Sequence, residues 1–268
     1  MKDMTIGIIG NGTVGQATAR AYLEHVKEVR CVDVDPRRCT HQMTMVLAAD
    51  IIFVCLPTPQ DDPMYAVREF FRDLPADARG CNFVLRSTVP IGTTRRLREE
   101  FNLPNLVHSP EFLTARCALV DAQMPSRNVI GAPDGRPSEC DGALLELYCT
   151  RWPHVPVVAL TSDESEAVKL FQNAFFAVKV SIWNELRAFA DERKLDWDRV
   201  MQAILADGRI HPSHTNVPGP DGQRGFGGAC LPKDLAALIA QMDDAKLQHG
   251  VCRAAQDRND YLDRPKGA

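Results

Sequence analysis

The residues with the clearest chemical capacity are Gly10-Asn11-Gly12-Thr13-Val14-Gly15. They follow the apolar run Thr5–Ile9 and open a stretch of helical spacing from Val14 to Lys27. In this strand–turn–helix context a GxGxxG pattern cradles a dinucleotide. Gly10 allows the tight turn, Gly12 lets a pyrophosphate approach the backbone, and Gly15 lets helix and strand pack closely; the phosphates sit on the positive helix N-terminus. Asp33, 18 residues after Gly15 at the end of the next strand, suits a ribose 2′-hydroxyl and repels a 2′-phosphate, which selects NAD over NADP. Asp35 competes for this role, and Arg37 and Arg38 weaken the exclusion of NADP. The alternative is a glycine-rich turn in some other α/β protein.

Three further segments fall where loops at the carboxyl ends of later strands belong, the rim that holds ligands in such sheets. In Cys55-Leu56-Pro57-Thr58-Pro59, two prolines stiffen the loop. Ser87-Thr88-Val89-Pro90-Ile91-Gly92-Thr93 places two hydroxyls, Ser87 and Thr88, at a strand end. Ser109-Pro110-Glu111-Phe112-Leu113 sets the carboxylate of Glu111 among apolar and proline residues, where it suits acid/base work. Turn chemistry or helix capping is the alternative for each segment. Farther on, Lys169 and Asn173 are four apart and share a helix face, commonly a solvated one. Five glycines between Gly219 and Gly228 make a poor core and a good close-approach loop. That loop delivers Cys230, Lys233 and Asp234 to a helix start, where a thiol beside a lysine becomes a nucleophile. His211 and His214 have no third ligand nearby in the sequence, so no metal is expected.

These groups need elements to hold them. Strands are expected at Thr5–Ile9, Glu28–Val34, Ile51–Cys55, Asn82–Arg86, Asn105–His108 and Arg127–Ile130, alternating with helical stretches. The pattern predicts α/β architecture: a Rossmann-like, doubly wound parallel sheet with helices on both faces. An all-helical domain with a long central helix follows. The boundary is expected near Arg151–Ala159, giving a cofactor domain over residues 1–155 and a helical catalytic domain over 156–268. Thr161 and Glu164 form a capping box. Phe171, Phe175, Val178, Ile182, Leu186 and Phe189 repeat at helical spacing and are expected as a buried core stripe. Asp196–Ala206 and Leu235–Tyr261 read as helices, the latter with a break at Gly250.

Composition sets outer limits. A chain of 268 residues fits two domains, at roughly 100–200 residues each. An apolar content of 45% with 25% charged residues excludes a disordered chain. The net charge of -4 provides no positive field for nucleic acid. No apolar run approaches the ~20 residues of a membrane span, and Met1-Lys2-Asp3-Met4 leads straight into a strand, so no signal peptide and a cytoplasmic location are expected. The nine cysteines are odd in number and show no CxxC spacing, which argues against a disulfide framework and a zinc site. Most suit a buried, reduced state; Cys230 does not.

Taken in order, the glycine loop, STVPIGT, SPEFL, the Lys169–Asn173 helix and GFGGACLPKD resemble the nucleotide-sugar 6-dehydrogenases, typified by UDP-glucose dehydrogenase. The last motif is highly specific, whereas the glycine loop is shared by many dehydrogenases. The resemblance implies an NAD-dependent four-electron oxidation of a sugar C6 alcohol to a carboxylate, most simply UDP-glucose to UDP-glucuronate. It implies Cys230 as the nucleophile of a thiohemiacetal and thioester, and Lys169 as the cation facing the developing oxyanion. Asp234 and Glu111 manage water and proton, and Thr88 and Asn173 hold them. It places the cofactor against Gly10, Gly12, Thr13, Val14, Gly15, Asp33, Pro57, Thr58, Ser87, Thr88 and Lys233. It places the substrate against Glu111, Phe112, Leu113, Thr114, Lys169, Asn173, Phe226 and Gly227. It also implies a homodimer in which the long helix packs on its twin.

Two departures from the family pattern stand out. Ala115-Arg116 replaces the family's Glu-Gly after SPEFL, removing a carboxylate and adding a cation. The family's third domain, which grips the nucleotide, is expected to be missing after Asp257–Ala268. A two-electron hydroxy-acid or sugar-alcohol dehydrogenase of the same two-domain shape is an alternative that Lys169 and Asn173 alone would satisfy, but it needs no thiol. A decayed NAD-binding module is another, disfavoured by intact Lys169, Cys230 and Asp234.

Overall fold

The computed structural model describes residues 1–132 and 139–265. The chain forms two compact units, Met1–Lys169 and Leu170–Ala268. The first contains β1 (Thr5–Ile9), β2 (Glu28–Val32), β3 (Ile51–Val54), β4 (Phe83–Leu85), β5 (Leu106–His108), β6 (Asn128–Ala132) and β7 (Val157–Thr161) in one sheet of order β2-β1-β3-β4-β5-β6-β7. Strand alternation explains why helices cover both faces. Ile51 and Phe53 of β3 join one buried cluster with Tyr22, Leu144 and Tyr148. Ile52 and Val54 join another with Val67, Phe71 and Leu97. The first cluster takes in α1 (Thr13–Tyr22), α5 (Ala118–Gln123) and α6 (Glu139–Arg151); the second takes in α2 (Met43–Leu47), α3 (Tyr65–Arg72) and α4 (Thr93–Phe101). The doubly wound architecture is therefore present, with the order reversing at β1.

Two features depart from the sequence expectation. The sheet is not wholly parallel: β5 and β6 pair antiparallel, with His108 opposite Gly131. The chain between them leaves and re-enters the sheet at the same end, so no crossover carries it back to restore the parallel direction. The sheet also continues past the expected boundary, because β7 pairs in parallel with β6 along its whole length. As an edge strand, β7 is only partly covered, and behind Trp152-Pro153 and Pro156 it reads as a linker. The division between units thus falls after Lys169 instead of at 155/156.

The long helix α7 (Ser162–Glu192) starts on the expected capping box. Glu164 Oε2 accepts from the Thr161 amide at 2.8 Å, and Thr161 Oγ1 accepts from the Glu164 amide at 3.2 Å. The second unit contains the rest of α7 with α8 (Trp197–Leu205), α9 (Leu231–Asp244), α10 (Gly250–Arg258) and a π-helical turn at Asn259–Asp263. Ala174, Ala177, Phe226, Leu235, Leu238 and Ile239 form one of its buried clusters. Trp183, Ala190, Trp197, Met201 and Val217 form the other. The Phe171 stripe is a correction. Phe171, Phe175, Ile182, Leu186 and Phe189 are 44–63% exposed, and Val178 alone is partly buried against the core. Periodicity finds an apolar face; it does not say that the same chain covers it.

The first turns of α7 lie hard against β6. A Cβ at Gly131 would stand 2.4 Å from the Ser165 Cβ and 3.1 Å from the Ser162 Cα. Gly131→Ala must push helix and strand apart, and should cost about 2 kcal/mol and lower Tm by roughly 5 °C in calorimetry.

Candidate active site

The glycine loop has the shape a dinucleotide needs. Gly10 has φ +87°, and a Cβ there would meet the Cys55 carbonyl oxygen at 2.6 Å. A Cβ at Gly15 would meet the Gly10 oxygen at 2.1 Å, so only glycine lets α1 sit this close to β1. At Gly12 the nearest group is the Arg38 guanidinium at 4.0 Å, leaving its backbone approachable. No side chain caps α1, whose first turn holds exposed Thr13 and half-buried Val14. Asp33 faces this loop: its Oδ2 accepts from the Asn11 amide at 2.6 Å and its Oδ1 from the Asp35 amide at 2.9 Å. Asp35 is instead taken up by Arg37, at 2.9 Å, and by the turn it caps. The chain's own residues thus fit NAD, with Asp33 the carboxylate beside the loop.

The other rim segments divide into binding and bracing. Pro57 is exposed, while Thr58 and Thr88 are half-buried. Ser87 is a brace: its hydroxyl donates to the Leu56 carbonyl at 2.7 Å, which fixes the loop after β3. Glu111 is buried, and its Oε1 pairs with Lys169 Nζ at 2.8 Å. Its Oε2 accepts from the Leu113 amide at 2.6 Å. The Phe112 ring lies beside this pair, 5.8 Å from Lys169 Nζ and 3.9 Å from the Arg127 guanidinium. Desolvation offsets the attraction within a buried ion pair, so its presence marks a functional rim better than it marks stability. Thr114, Ala115 and Arg116 are exposed, with the Thr114 amide held by Asp121 at 2.7 Å. The Cys55 thiol is pushed up to about 12 by burial, and is inert.

Several residues here escaped the sequence reading. Glu166 is 1% exposed and accepts from the amides of Gly92 at 2.6 Å, Thr93 at 3.2 Å and Thr94 at 2.7 Å, and from the Thr94 hydroxyl at 2.6 Å. Burial pushes its carboxyl up to about 7, against the pull of these donors. Ser165 meets His108 Nδ1 at 2.8 Å. Arg86 donates to the Ser109 carbonyl at 3.3 Å and to the Tyr148 hydroxyl at 3.2 Å, and that hydroxyl meets Ser109 Oγ at 2.6 Å. The usable signal was spacing: Ser165 and Glu166 precede Lys169 by four and three, on its own helix face.

In the second unit, Cys230 is exposed and is the residue from which α9 springs. Asp234, one turn on, is fully buried, and its Oδ2 accepts from Asn173 Nδ2 at 2.6 Å. Lys233, expected at the cofactor, pairs with Asp234 Oδ1. Phe226, expected against substrate, has its side chain in the core; its amide donates to Asn259 Oδ1 at 2.8 Å. Arg264 donates to the carbonyls of Arg224 at 2.8 Å and Gly225 at 3.3 Å. A Cβ at Gly227 would stand 2.2 Å from its Nη1, so the glycine run makes room for this brace as much as for a ligand. Asn259 and Arg264 also went unread, because nothing in their local sequence points back to the loop. His211 and His214 are exposed, and His214 stacks on Phe176 at 4.1 Å. Among the described residues no group of His, Cys, Asp or Glu could hold a metal, and no helix is long and apolar enough to cross a membrane. None of the nine cysteines is in a disulfide.

A doubly wound sheet with a glycine-loop cradle and a facing carboxylate defines the dinucleotide-binding α/β class. More narrowly, the chain matches the NAD binding domain of the UDP-glucose/GDP-mannose dehydrogenase family over residues 38–150 and its central domain over residues 163–261. It belongs to that family. The UDP-glucose 6-dehydrogenase of Campylobacter jejuni is 32% identical over 197 residues, covering 72% of this chain and 48% of that protein. The chain thus spans about half the length of such curated relatives. A UDP-glucose dehydrogenase from Pyrobaculum islandicum superposes with a TM-score of 0.80 at 27% identity, covering 97% of this chain and 68% of the other. The 3-hydroxyisobutyrate dehydrogenase of Mycobacterium tuberculosis shares the fold, with a TM-score of 0.74 at 19% identity over 97% of this chain and 96% of that one.

His108 gives the first unit a pH signature. Burial, aided by the nearby Arg86 and Lys169 cations, drops its pKa to about 3. The folded state therefore holds it neutral while the unfolded chain protonates near its ordinary value of about 6.5. Its contribution is present above that value and is lost as pH falls toward the folded value. Between about pH 7 and pH 5 this one group should remove about 2 kcal/mol of stability. His108→Asn should flatten the corresponding slope of Tm against pH.

Proposed function

We propose that this chain is an NAD-dependent nucleotide-sugar 6-dehydrogenase that oxidises a sugar C6 alcohol to a carboxylate, with UDP-glucose to UDP-glucuronate as its reaction. The observation that carries this is the head of α9: an exposed thiol, Cys230, one turn before a fully buried carboxylate, Asp234, that Asn173 binds. Simple alcohol oxidation has no use for a thiol, whereas oxidation of an aldehyde to an acid does.

The sheet unit binds the cofactor through the glycine loop and Asp33, and the helical unit supplies Asn173, Cys230 and Asp234. Two NAD molecules, bound one after the other in the same site, would supply the hydride acceptor, one for each oxidation. Lys169 places a fixed cation where negative charge develops on the C6 oxygen. Cys230 Sγ adds to the aldehyde carbon, forming a C–S bond and a thiohemiacetal. At the next oxidation level the carbon is held as a thioester, and water cleaves the C–S bond to give the carboxylate and regenerate the thiol. Glu111 and Asp234 manage the water and the proton, and Thr88 and Asn173 orient them. Substrate lies along Glu111 to Thr114 and against the backbone at Phe226 and Gly227. The disulfide-free cysteines suit a reducing cytoplasm. The test is stoichiometry with UDP-glucose: two NADH per sugar are expected. Cys230→Ser should lower carboxylate formation by on the order of 1000-fold or more, and full turnover by that variant would sink the thioester route.

A second reading is a two-electron dehydrogenase. The Lys169–Glu111 pair favours it, being an acid–base couple complete without a thiol. One NADH per substrate would establish it.

The exposed α7 stripe supports a homodimer in which each copy covers the other's Phe171, Phe175, Ile182, Leu186 and Phe189. Ultracentrifugation should give twice the chain mass, and Phe175→Asp should weaken association by about 100-fold.

A further inference from the structure

Glu166 has no part in the reaction proposed above, yet among the described residues of the first unit it is a carboxylate with four hydrogen-bond donors on it. Helix α4 has no side-chain cap of its own: it starts at Gly92, in the left-handed region at φ +86°, with its first amides turned to Glu166. The cap comes from another element 72 residues away, measured from Thr94. Charge-assisted bonds to a helix N-terminus are the strong kind, and these are shielded from water. On the same face of α7, Ser165 offers His108 only a single neutral hydrogen bond. One turn after Glu166, Lys169 Nζ reaches Glu111 at 2.8 Å, a separation that tolerates little movement of the helix.

We propose that Glu166 is the positioning residue for Lys169: by capping α4 it fixes the depth and rotation of the first turns of α7, and so sets where the lysine ammonium stands relative to Glu111. This rests on the role given to Lys169 above. Glu166 acts through the helix and touches no reacting atom.

The test compares the full chain with Glu166→Gln, which keeps the shape and loses the charge, using two readouts that need no substrate. Hydrogen exchange of the Thr93 and Thr94 amides should accelerate at least about tenfold as the cap weakens. Acylation of Lys169, followed by mass spectrometry, should also be about tenfold faster, because the ammonium leaves its buried pair. With NAD and UDP-glucose, kcat should fall about tenfold or more while KM for NAD stays within about twofold. Unchanged lysine labelling with accelerated exchange would overturn the proposal, since the cap would then be broken without consequence for Lys169. A rise in KM for NAD at constant kcat would overturn it too, assigning the clamp to the cofactor loop. Should Glu166→Gln not fold, Thr94→Val removes one donor and keeps the carboxylate. It should speed lysine labelling about threefold, and no change would count against the proposal. If the parent chain leaves UDP-glucose untouched, the exchange and labelling results still judge Glu166, and only the assigned reaction falls.

Discussion

A carboxyl group removed from water must find hydrogen-bond partners for both of its oxygens. Glu166 meets that condition with three backbone amides and one hydroxyl, all from the start of α4. Much of the first unit follows from this contact. It ties α7 to the segment that follows β4. Ser165 and Lys169, on the same face, then fall opposite His108 at the end of β5 and Glu111 just beyond it. Glycine at 131 is what lets the helix come so near to β6. Two rim segments, separate in sequence, and the end of β5 are thereby held by two turns of one helix.

The second unit solves a different problem. A loop rich in glycine has too much conformational freedom to aim a nucleophile, and that freedom must be removed from outside. Asn184 and Asn259 accept from the amides of Gly225 and Phe226, while Arg264 takes up carbonyls on the same loop. The bare Cα atoms at Gly225 and Gly227 are where these braces lie. The loop is flexible in composition and fixed in place.

The repeating features were legible in the sequence. Strand–helix alternation, the glycine loop with its facing Asp33, the Thr161–Glu164 box and Cys230 at a helix start were each readable, because periodicity and local hydrogen bonding specify them within a few residues. What could not be read depends on distant partners. β7 looked like a linker since an edge strand is only half covered. The ion pair of Lys233 with its neighbour Asp234 went unread because spacing alone does not reveal that Asp234 is buried. The α7 stripe was assigned to the core because a helical repeat is the same whether its cover comes from this chain or from another. Glu166 was passed over because a cap supplied from another element leaves no mark beside the helix it serves.

The antiparallel junction of β5 and β6 has one more effect. Between buried Glu111 and buried Ala118 the chain exposes Thr114, Ala115, Arg116 and Cys117 in succession, and both ends of this excursion are anchored at the same edge of the sheet. Residues in such a position can be exchanged without shifting any strand, so variation there has little effect on folding while it reshapes the surface beside the Lys169–Glu111 pair. The scaffold thus leaves a run of side chains at the sheet's end on which no strand depends.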